Sequence, residues 1–420
     1  MYFSFIKITL KRLYNILTHI ATFHIKIAAL FNNKLQLGVK GRAETFSALK
    51  NKISDKDQVI WFHCASLGEY EQGLPVFEEI RASHPNHKIV LSFFSPSGFE
   101  IRKNSPIADC VVYLPLDTKQ NAKQFLDLTH PELIIFVKYE IWPNYLLEIN
   151  KRQIYAILIS ALFRKNQSFF KGSGKWMQEA LFAFRHIFVQ NETSKKLLNN
   201  IGYDKVTVSG DTRFDRVSNQ LKINNKLNFV ETFKQNKLCV VAGSTWPEDE
   251  ALLINFINND SSNTKYIIAP HNIKNGQISS LKNKLKKASI LFSEKDTIDL
   301  TKAKVLVVDT IGILSKIYSY ADIAYVGGAM GSTGLHNTLE PAVFGVPIII
   351  GGNHEKFPEA KAMIDNKGMF SIKSQTEFNA ILNQLIQNDV LRIKSGKLNA
   401  NYIFKNKGAV KQITSHLNKR

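Results

Sequence analysis

The fold is decided by a stretch in which a short capped segment separates two apolar runs: Ile323-Ala-Tyr-Val-Gly-Gly328, then Gly334-Leu-His-Asn-Thr-Leu-Glu-Pro-Ala-Val-Phe-Gly-Val-Pro347, then Ile348-Ile-Ile-Gly-Gly352. Each apolar run predicts a buried parallel strand. The small polar residues around Asn337 predict the start of a short helix, and Gly345 with Pro347 predicts its end. A strand, a glycine loop and a helix N-terminus in this order are a common anion-binding arrangement.

Glu340 lies one turn into this predicted helix. Its carboxylate could accept hydrogen bonds from a sugar diol. Alternatively, it could only favour the helix N-terminus electrostatically. The local sequence leaves both interpretations open.

Similar apolar runs alternate with helical spans on both sides of this stretch. They cover residues 59–65, 88–94, 109–114, 133–137, 153–159, 186–189 and 205–208, and then 238–242, 265–269, 289–292, 304–308, 323–326, 347–350 and 369–372. This alternation predicts an α/β fold of two doubly wound, Rossmann-like domains facing across a cleft. We place a polar linker at 216–236 and predict domains at 37–218 and 219–420, after an arm at 1–36.

The bulk composition limits the class of partner. The formal charge is +20, from 55 Lys and Arg against 35 Asp and Glu, which favours an anionic membrane face or a phosphorylated substrate. A general lysine bias explains part of it. Nucleic acid is the weakest candidate, because the basic residues form no block and no binding motif is present.

The three cysteines, at 64, 110 and 239, are scattered and indicate a reducing cytoplasm.

The N-terminal arm is basic and apolar. Residues 1–42 contain seven Lys and Arg and no acidic residue. The longest uncharged stretch, 13–25, is about half to two-thirds of a bilayer span. Such a helix is typical of the interface of an anionic leaflet. The alternative is a helix that packs its apolar side on the first domain.

The loop after the first strand contains a candidate general base. In Ala65-Ser-Leu-Gly-Glu-Tyr-Glu71, Ser66 and Gly68 are expected to shape a strand-to-helix turn with Glu69 at its rim. A carboxylate there could deprotonate a hydroxyl that attacks an activated sugar. It could also be an ordinary first-turn Glu favoured by the helix dipole. Glu71 is a weaker candidate for the general base.

Two loops of the second half suit a phosphorylated ligand. The turn Ala242-Gly-Ser-Thr-Trp246 lacks GxGxxG, so it does not imply a dinucleotide, but Ser244 suits close approach to a phosphate. His271 follows the next strand and could pair with an anion or be an ordinary loop histidine.

No DxD-type motif follows a strand, so we predict no metal site. A helix N-terminus and basic side chains are then expected to stabilise a leaving phosphate.

Together these motifs resemble those of GT-B glycosyltransferases, and in particular the 3-deoxy-D-manno-octulosonic acid (Kdo) transferases of lipopolysaccharide synthesis. The resemblance covers about 38–400. Ala65–Tyr70 resembles the family's Ala-Ser-Val-Gly-Glu-Phe, and Lys138-Tyr-Glu-Ile-Trp-Pro-Asn144 resembles Glu-Thr-Glu-Leu-Trp-Pro-Asn. Lys138 therefore reverses a charge. Lys356 stands where the family often has Asn, and Arg213 where it has Lys.

The resemblance implies an inverting transferase that moves Kdo from CMP-Kdo to a lipid A precursor (lipid IVA) and releases CMP, without a metal cofactor. It implies an enzyme at the cytoplasmic face of the inner membrane, in contact with anionic lipids, whose last helix crosses back onto the first domain. Glu69 is the expected base. The other residues expected at the substrates are Ser66, Gly68, Glu140, Arg213, Ser244, His271, Gly331, Ser332, Gly334, Asn337, Thr338 and Glu340, although Glu140 could instead only anchor its loop.

Two other functions remain open at this point. One is a different GT-B enzyme, which uses a UDP-sugar as a transferase or an epimerase. The other is a membrane-docked binding protein that has the fold without catalysis. The nucleotide that binds distinguishes a UDP-sugar enzyme from a Kdo transferase. The effect of replacing Glu69 on turnover distinguishes a binding protein from an enzyme.

Overall fold

The structure is a computed structural model that describes the backbone of residues 2–419 and the side chains of residues 9–172 and 174–419. It divides into two compact units. The first unit contains the residues up to Arg216 and those from Gly408 onward, and the second unit contains Val217–Lys407.

Each unit is built on a parallel sheet of seven strands. The strands are β1 (Val59–Cys64), β2 (Lys88–Phe93), β3 (Cys110–Tyr113), β4 (Leu133–Val137), β5 (Tyr155–Ala161), β6 (His186–Val189) and β7 (Val206–Val208) in the first unit, and β8 (Cys239–Thr245), β9 (Lys265–Pro270), β10 (Ser289–Leu291), β11 (Val305–Val307), β12 (Ile323–Val326), β13 (Ile348–Gly351) and β14 (Met369–Ile372) in the second. Each of the fourteen predicted runs overlaps one of these strands.

Helices connect the strands. They are α1 (Tyr2–Ala28), α2 (Asn33–Lys52), α3 (Leu67–Ser83), α4 (Pro96–Arg102), α5 (Lys119–Thr129), α6 (Pro143–Lys151), α7 (Lys175–Leu181), α8 (Glu192–Asn199), α9 (Thr212–Gln220), α10 (Asn228–Lys234), α11 (Pro247–Asn259), α12 (Asn275–Lys284), α13 (Leu314–Ile317), α14 (Leu339–Ala342), α15 (Pro358–Asp365), α16 (Gln375–Gln387), α17 (Asp389–Asn406) and α18 (Ala409–Leu417). The predicted linker is therefore partly helical, since α9 and α10 both enter it.

The order of strands shows where each sheet reverses its winding. The first sheet runs β3-β2-β1-β4-β5-β6-β7, and the second runs β10-β11-β9-β8-β12-β13-β14. The reversal lies between β1 and β4 in the first sheet and between β8 and β12 in the second. Parallel α/β sheets bind ligands beyond the carboxyl ends of the strands at such a point. The prediction of two Rossmann-like, doubly wound parallel sheets is confirmed.

The strands form because their sequences are apolar on both faces. Every residue of β1 and of β4 is buried, as expected for central parallel strands covered by helices on each side. His63, the fifth residue of β1, is the one polar side chain in these two strands, and it is also fully buried. A buried polar side chain needs hydrogen-bond partners, and those of His63 are described with the site.

The N-terminal arm packs on the first unit through its polar side. Tyr14 donates a hydrogen bond to Asp117 at 2.6 Å, and Asn15 accepts one from the Asn144 amide at 3.0 Å. The large apolar side chains of α1 point outward at intervals of three and four residues; they are Leu13, Ile16, Leu17, Ile20, Phe23 and Ile27. The interpretation in which the apolar side packs on the first domain is therefore wrong.

The predicted boundary of the arm, at 36/37, falls inside α2. Among the residues that the structure describes, no helix combines the length and the apolar content needed to cross a bilayer.

The last helix belongs to the first unit. The Asp215 carboxylate accepts hydrogen bonds from the backbone N–H groups of Gly408 at 2.8 Å and Ala409 at 3.0 Å, which caps α18. Ile413 and Leu417 join the buried cluster that includes α3. The chain thus closes the first unit only after the second unit is complete.

Candidate active site

One candidate site lies in the first unit, where the winding of its sheet reverses. The loop after β1 carries Ser66, Gly68 and Glu69 into α3, and the loop after β4 carries Lys138 and Glu140. The sequence predicted these residues in separate loops. The adjacent pairing of β1 and β4 brings the two loops together.

Glu69 is held at the start of α3. One of its carboxylate oxygens accepts a hydrogen bond from the Ser66 backbone N–H at 3.0 Å, and the residue is 8% exposed. Burial, followed by repulsion from Glu140, raises the pKa of Glu69 to about 7, although Lys138 and the backbone N–H groups oppose the rise. A general base is most effective when its pKa is near the working pH. Glu69 therefore caps its helix, and its raised pKa would suit a general base.

Glu140 contacts the side chains of Trp142 and His63. Its carboxylate accepts a hydrogen bond from the indole N–H of Trp142 at 2.7 Å and lies 3.1 Å from His63 Nε2. The other His63 nitrogen lies 2.8 Å from the Ser92 hydroxyl, which accepts from the Trp61 indole at 2.7 Å. His63 Nε2 lies 3.1 Å from the Glu140 carboxylate and 3.1 Å from the Trp142 indole nitrogen, so these three side chains form one cluster. Glu140 is 7% exposed.

Lys138 occupies an unusual backbone position beside this pair. Its φ is 69°, in the left-handed region that a lysine rarely adopts. Its ammonium lies 5.1 Å from the centre of the Tyr139 ring, and its charge lowers the pKa of Glu69. Strained backbone of this kind gathers at functional sites. The charge reversal seen in the sequence thus places a cation next to the candidate base.

Glu71 differs from Glu69 in its partners. Its carboxylate forms ion pairs with Arg102 and Arg216. Arg213 is also paired, because its guanidinium contacts Asp211 at 2.8 and 2.9 Å, and Asp211 accepts from Gln72 on α3 at 2.7 Å. The structure therefore places Arg213 in the first unit.

Gly68 has open space around it. A Cβ added there would come no closer than 4.0 Å to any neighbouring atom, that of the Ser66 hydroxyl. We expect Gly68→Ala to raise the free energy of unfolding by about 0.5–1 kcal/mol, because alanine favours a helix. If a substrate passes over this turn, transfer falls while stability rises. Thermal unfolding and turnover, measured on the same sample, test this; equal turnover would exclude Gly68 from the site.

A second candidate site lies in the second unit. Glu340 follows β12 on α14, a single turn preceded by an Asn337 side chain that accepts from the Leu339 N–H at 3.1 Å. One Glu340 oxygen accepts from the Asn337 amide at 3.0 Å, and the other accepts from the Ser315 hydroxyl at 2.9 Å. Each carboxylate oxygen can accept a second hydrogen bond. Glu340 is thus oriented and can still bind a hydroxyl.

Asp249 ties the β8 turn to the β12 loop. Its fully buried carboxylate accepts from the backbone N–H of Trp246 at 2.9 Å, the backbone N–H of Gly328 at 2.8 Å and the Tyr325 hydroxyl at 2.6 Å. Three donors satisfy a buried charge that would otherwise be costly. The two loops at the reversal point of the second sheet therefore share one anchor.

Three aromatic rings meet at the same edge of the sheet. The Trp246 indole donates to His336 Nε2 at 3.0 Å, and the His271 ring lies 4.6 Å from each of the other two ring centres. Burial, and then the proximity of His271, lowers the pKa of His336 to about 4, and burial also lowers the pKa of His271. Both histidines are therefore neutral near pH 7. His271 was predicted as a possible cation for an anion, and this environment disfavours that charge.

The remaining predicted residues lie in or beside the β12 loop. Ser332 is exposed, Gly334 has a φ of 99°, and Thr338 is buried at 2% exposure, so its side chain does not face solvent. A Cβ on Gly331 would lie 3.1–3.3 Å from the Glu248 carboxylate, and the Gly331 carbonyl accepts from Asn353 at 2.8 Å.

Ser244 has a φ of 54° at an irregularity of β8. It is therefore a second strained position beside the expected ligand.

Sequence reasoning missed several residues of these networks. His63, Ser315 and His336 each contact a predicted site residue or hold one in place. His336 lies inside the predicted glycine-rich stretch 334–347, so its position in that motif was the available signal. In the part of the chain with described side chains, no group of three or more His, Cys, Asp or Glu residues is arranged to hold a metal ion.

Comparison with known sequences gives matches in both units. Residues 40–216 match the family model described as 3-deoxy-D-manno-octulosonic-acid transferase (kdotransferase). The chain is 26% identical over 389 residues to the 3-deoxy-D-manno-octulosonic acid transferase of Haemophilus influenzae, covering 88% of this chain and 89% of that protein. It is 28% identical over 344 residues to the enzyme of that name from Aquifex aeolicus, covering 80% and 88%.

Solved structures show the fold. The UDP-GlcNAc 2-epimerase from Neisseria meningitidis aligns with a TM-score of 0.61 and 14% identity over 86% of this chain and all of that one (100%). MurG of Acinetobacter baumannii aligns with a TM-score of 0.55 and 10% identity over the same shares, 86% and 100%. At these identities the likeness concerns architecture alone, and it confirms the GT-B type of fold.

Proposed function

We propose that this glycosyltransferase, a Kdo transferase by its sequence similarity, moves Kdo from CMP-Kdo to a lipid A precursor such as lipid IVA and releases CMP. The observation that carries the proposal is Glu69, a buried carboxylate whose pKa is raised to about 7. It lies where the winding of the first sheet reverses, which is where a ligand of an α/β domain binds.

The proposed reaction is a single displacement with inversion. The Glu69 carboxylate takes the proton from an acceptor hydroxyl, and the hydroxyl oxygen forms a bond to the anomeric carbon of Kdo. The bond between that carbon and the phosphate oxygen breaks, and its electron pair leaves with CMP. Glu140 keeps a negative charge close to Glu69, which favours capture of the proton.

The donor is proposed to bind in the second unit. Glu340 and Asn337 are expected to bind the sugar hydroxyls of the nucleotide, because their side chains are already oriented by each other and by Ser315. The other proposed contacts are Ser244, His271, Gly331, Ser332, Gly334 and the backbone of Thr338. Arg213 lies in the first unit and pairs with Asp211, so we propose that it shapes the acceptor side.

Single-turnover transfer tests the proposal. The full chain in detergent is mixed with CMP-Kdo and a bisphosphorylated, tetra-acylated glucosamine disaccharide in the presence of EDTA. Formation of the Kdo-bearing lipid and of CMP supports the function, and its persistence in EDTA supports the proposal that no metal cofactor is needed. No transfer, together with no binding of CMP-Kdo, would favour a UDP-sugar instead.

We also propose that the arm lies on an anionic membrane face, which would be the cytoplasmic face of the inner membrane. Leu13, Phe23 and their apolar neighbours on α1 are exposed, and Phe31 in the following turn is 87% exposed. The arm carries no acidic residue to oppose anionic lipid. A helix with an exposed apolar side and basic residues is typical of such an interface.

Vesicle flotation tests the position of the arm. We expect Ile16→Glu with Phe23→Glu to reduce binding to phosphatidylglycerol vesicles by about tenfold or more, since each change removes several methylenes from the interface. Val390→Glu with Ile393→Glu is the matched control, because these side chains are exposed on α17. Equal binding by both double variants and the unaltered chain would contradict the proposal.

A further inference from the structure

A cavity of about 300 Å³ lies between α1, α2, the loop that follows β3 and the start of α5. Its apolar lining includes Ile25, Val39, Ala43, Phe46 and Leu116. This volume is at the small end of the range for ligand pockets.

The charges at the cavity suit an anionic lipid. None of its described lining residues is acidic, and Lys26 is exposed at its edge. Arg42 also lines the cavity, but its guanidinium is bound to the backbone carbonyls of Leu114 at 3.1 Å, Gly38 at 3.0 Å and Phe94. Arg42 therefore fastens α2 to the loops after β2 and β3, whereas Lys26 is placed to meet a negative headgroup.

The position of the cavity relates it to Glu69. Leu116 follows β3, Glu69 follows β1, and β2 lies between these two strands. Because neighbouring strands are about 4.8 Å apart, the ends of β1 and β3 are separated by roughly 10 Å. Phe94 follows β2, and its ring lies 4.7 Å from that of Trp142, which binds Glu140. The cavity and the candidate base thus lie along one edge of the sheet.

We propose that this cavity binds one fatty acyl chain of the acceptor lipid, so that the sugar headgroup extends along the sheet edge toward Glu69. The identity of the acceptor rests on the proposed function. We choose an acyl chain of the acceptor rather than one of a bulk phospholipid because the cavity and Glu69 lie along the same edge of the sheet. Only the acceptor needs its headgroup near Glu69.

Photolabelling tests where the chain binds. The probe is the glucosamine disaccharide acceptor with a diazirine at the end of one acyl chain, added to the full protein in detergent. We expect labelled peptides from residues 22–46 and 115–121, with labelling competed by unlabelled acceptor and not by phosphatidylglycerol. Labelling elsewhere, or equal competition by phosphatidylglycerol, would overturn the proposal. Labelling does not require transfer, so correct labelling without turnover would overturn only the proposed function.

A pair of substitutions on α2 tests the consequence for catalysis. Ala43→Trp fills the cavity from an exposed position, and Ser47→Trp makes the same change one turn further on, outside the cavity. With the tetra-acylated acceptor, we expect Ala43→Trp to lower kcat/KM about tenfold through KM, equivalent to excluding roughly two methylenes. With the deacylated disaccharide, both variants should match the unaltered chain. If Ala43→Trp lowered kcat/KM equally with the acylated and the deacylated acceptor, the proposal would be overturned.

Discussion

Replacement of Glu69 by Gln is expected to slow single-turnover transfer by more than about 100-fold, the scale of a lost general base. Gln has nearly the same shape and can still contact the Ser66 backbone, so the fold should remain. The measurement is the rate of CMP formation at saturating CMP-Kdo. Unchanged turnover in this variant would favour the membrane-docked binding protein without catalysis.

The pH dependence provides a second measure of the same residue. Glu69 must be ionised to accept a proton, and its pKa is raised to about 7 by burial and then by Glu140. The transfer rate should therefore rise with pH up to about 7 and level off above it. Glu140→Gln removes the repulsion and should move this rise to lower pH. A rise at the same pH in both proteins would mean that another group controls the rate.

Glu71→Gln is the matched control on the same helix. Its carboxylate is paired with Arg102 and Arg216, so its loss should reduce stability without removing the rise of rate with pH. If Glu71→Gln abolished transfer and Glu69→Gln did not, the roles assigned to the two residues would be reversed.

Asp249→Ala should cause the largest loss of stability in the second unit. It leaves the Trp246 N–H, the Gly328 N–H and the Tyr325 hydroxyl without their acceptor. Each unsatisfied buried donor costs about 1–3 kcal/mol, so a loss of about 3 kcal/mol or more is expected. Urea unfolding gives the stability, and hydrogen exchange at the two amides locates the change.

Tyr325→Phe is the control for Asp249→Ala. It removes one donor and leaves the carboxylate with two, so we expect a loss of only about 1 kcal/mol. Asp249→Ala should also weaken nucleotide binding, because the Trp246 ring and the β12 loop lose their common anchor. If Asp249→Ala lowered the free energy of unfolding no more than Tyr325→Phe does, water would have replaced the carboxylate as the acceptor.

The strands could be predicted from the sequence because a parallel strand buried on both faces is a continuous apolar run. β4 and β12 were predicted with their observed limits, at 133–137 and 323–326. Glu69 and Glu340 could be placed at strand ends for the same reason, since their loops follow such runs. The partners of these residues were not predictable, because they come from other strands and loops.

His63 illustrates this limit. In the sequence it interrupts an apolar run, and nothing nearby shows that Ser92 and Glu140 would lie on either side of its ring. Trp246 is similar, since its partner His336 is far along the chain. The outward direction of the apolar side of α1 also depended on contacts at Asp117 and Asn144. These facts come from tertiary packing rather than from local pattern.

The capping of α18 by Asp215 has a consequence for synthesis on the ribosome. The second unit is an uninterrupted segment, whereas the first unit needs residues 408–417 to complete its core. Domains tend to fold as they emerge, so the later unit can finish first. Until the last helix is made, the nascent chain exposes an apolar strip on α3. Premature termination after Lys407 would therefore yield a folded second unit attached to an aggregation-prone first unit.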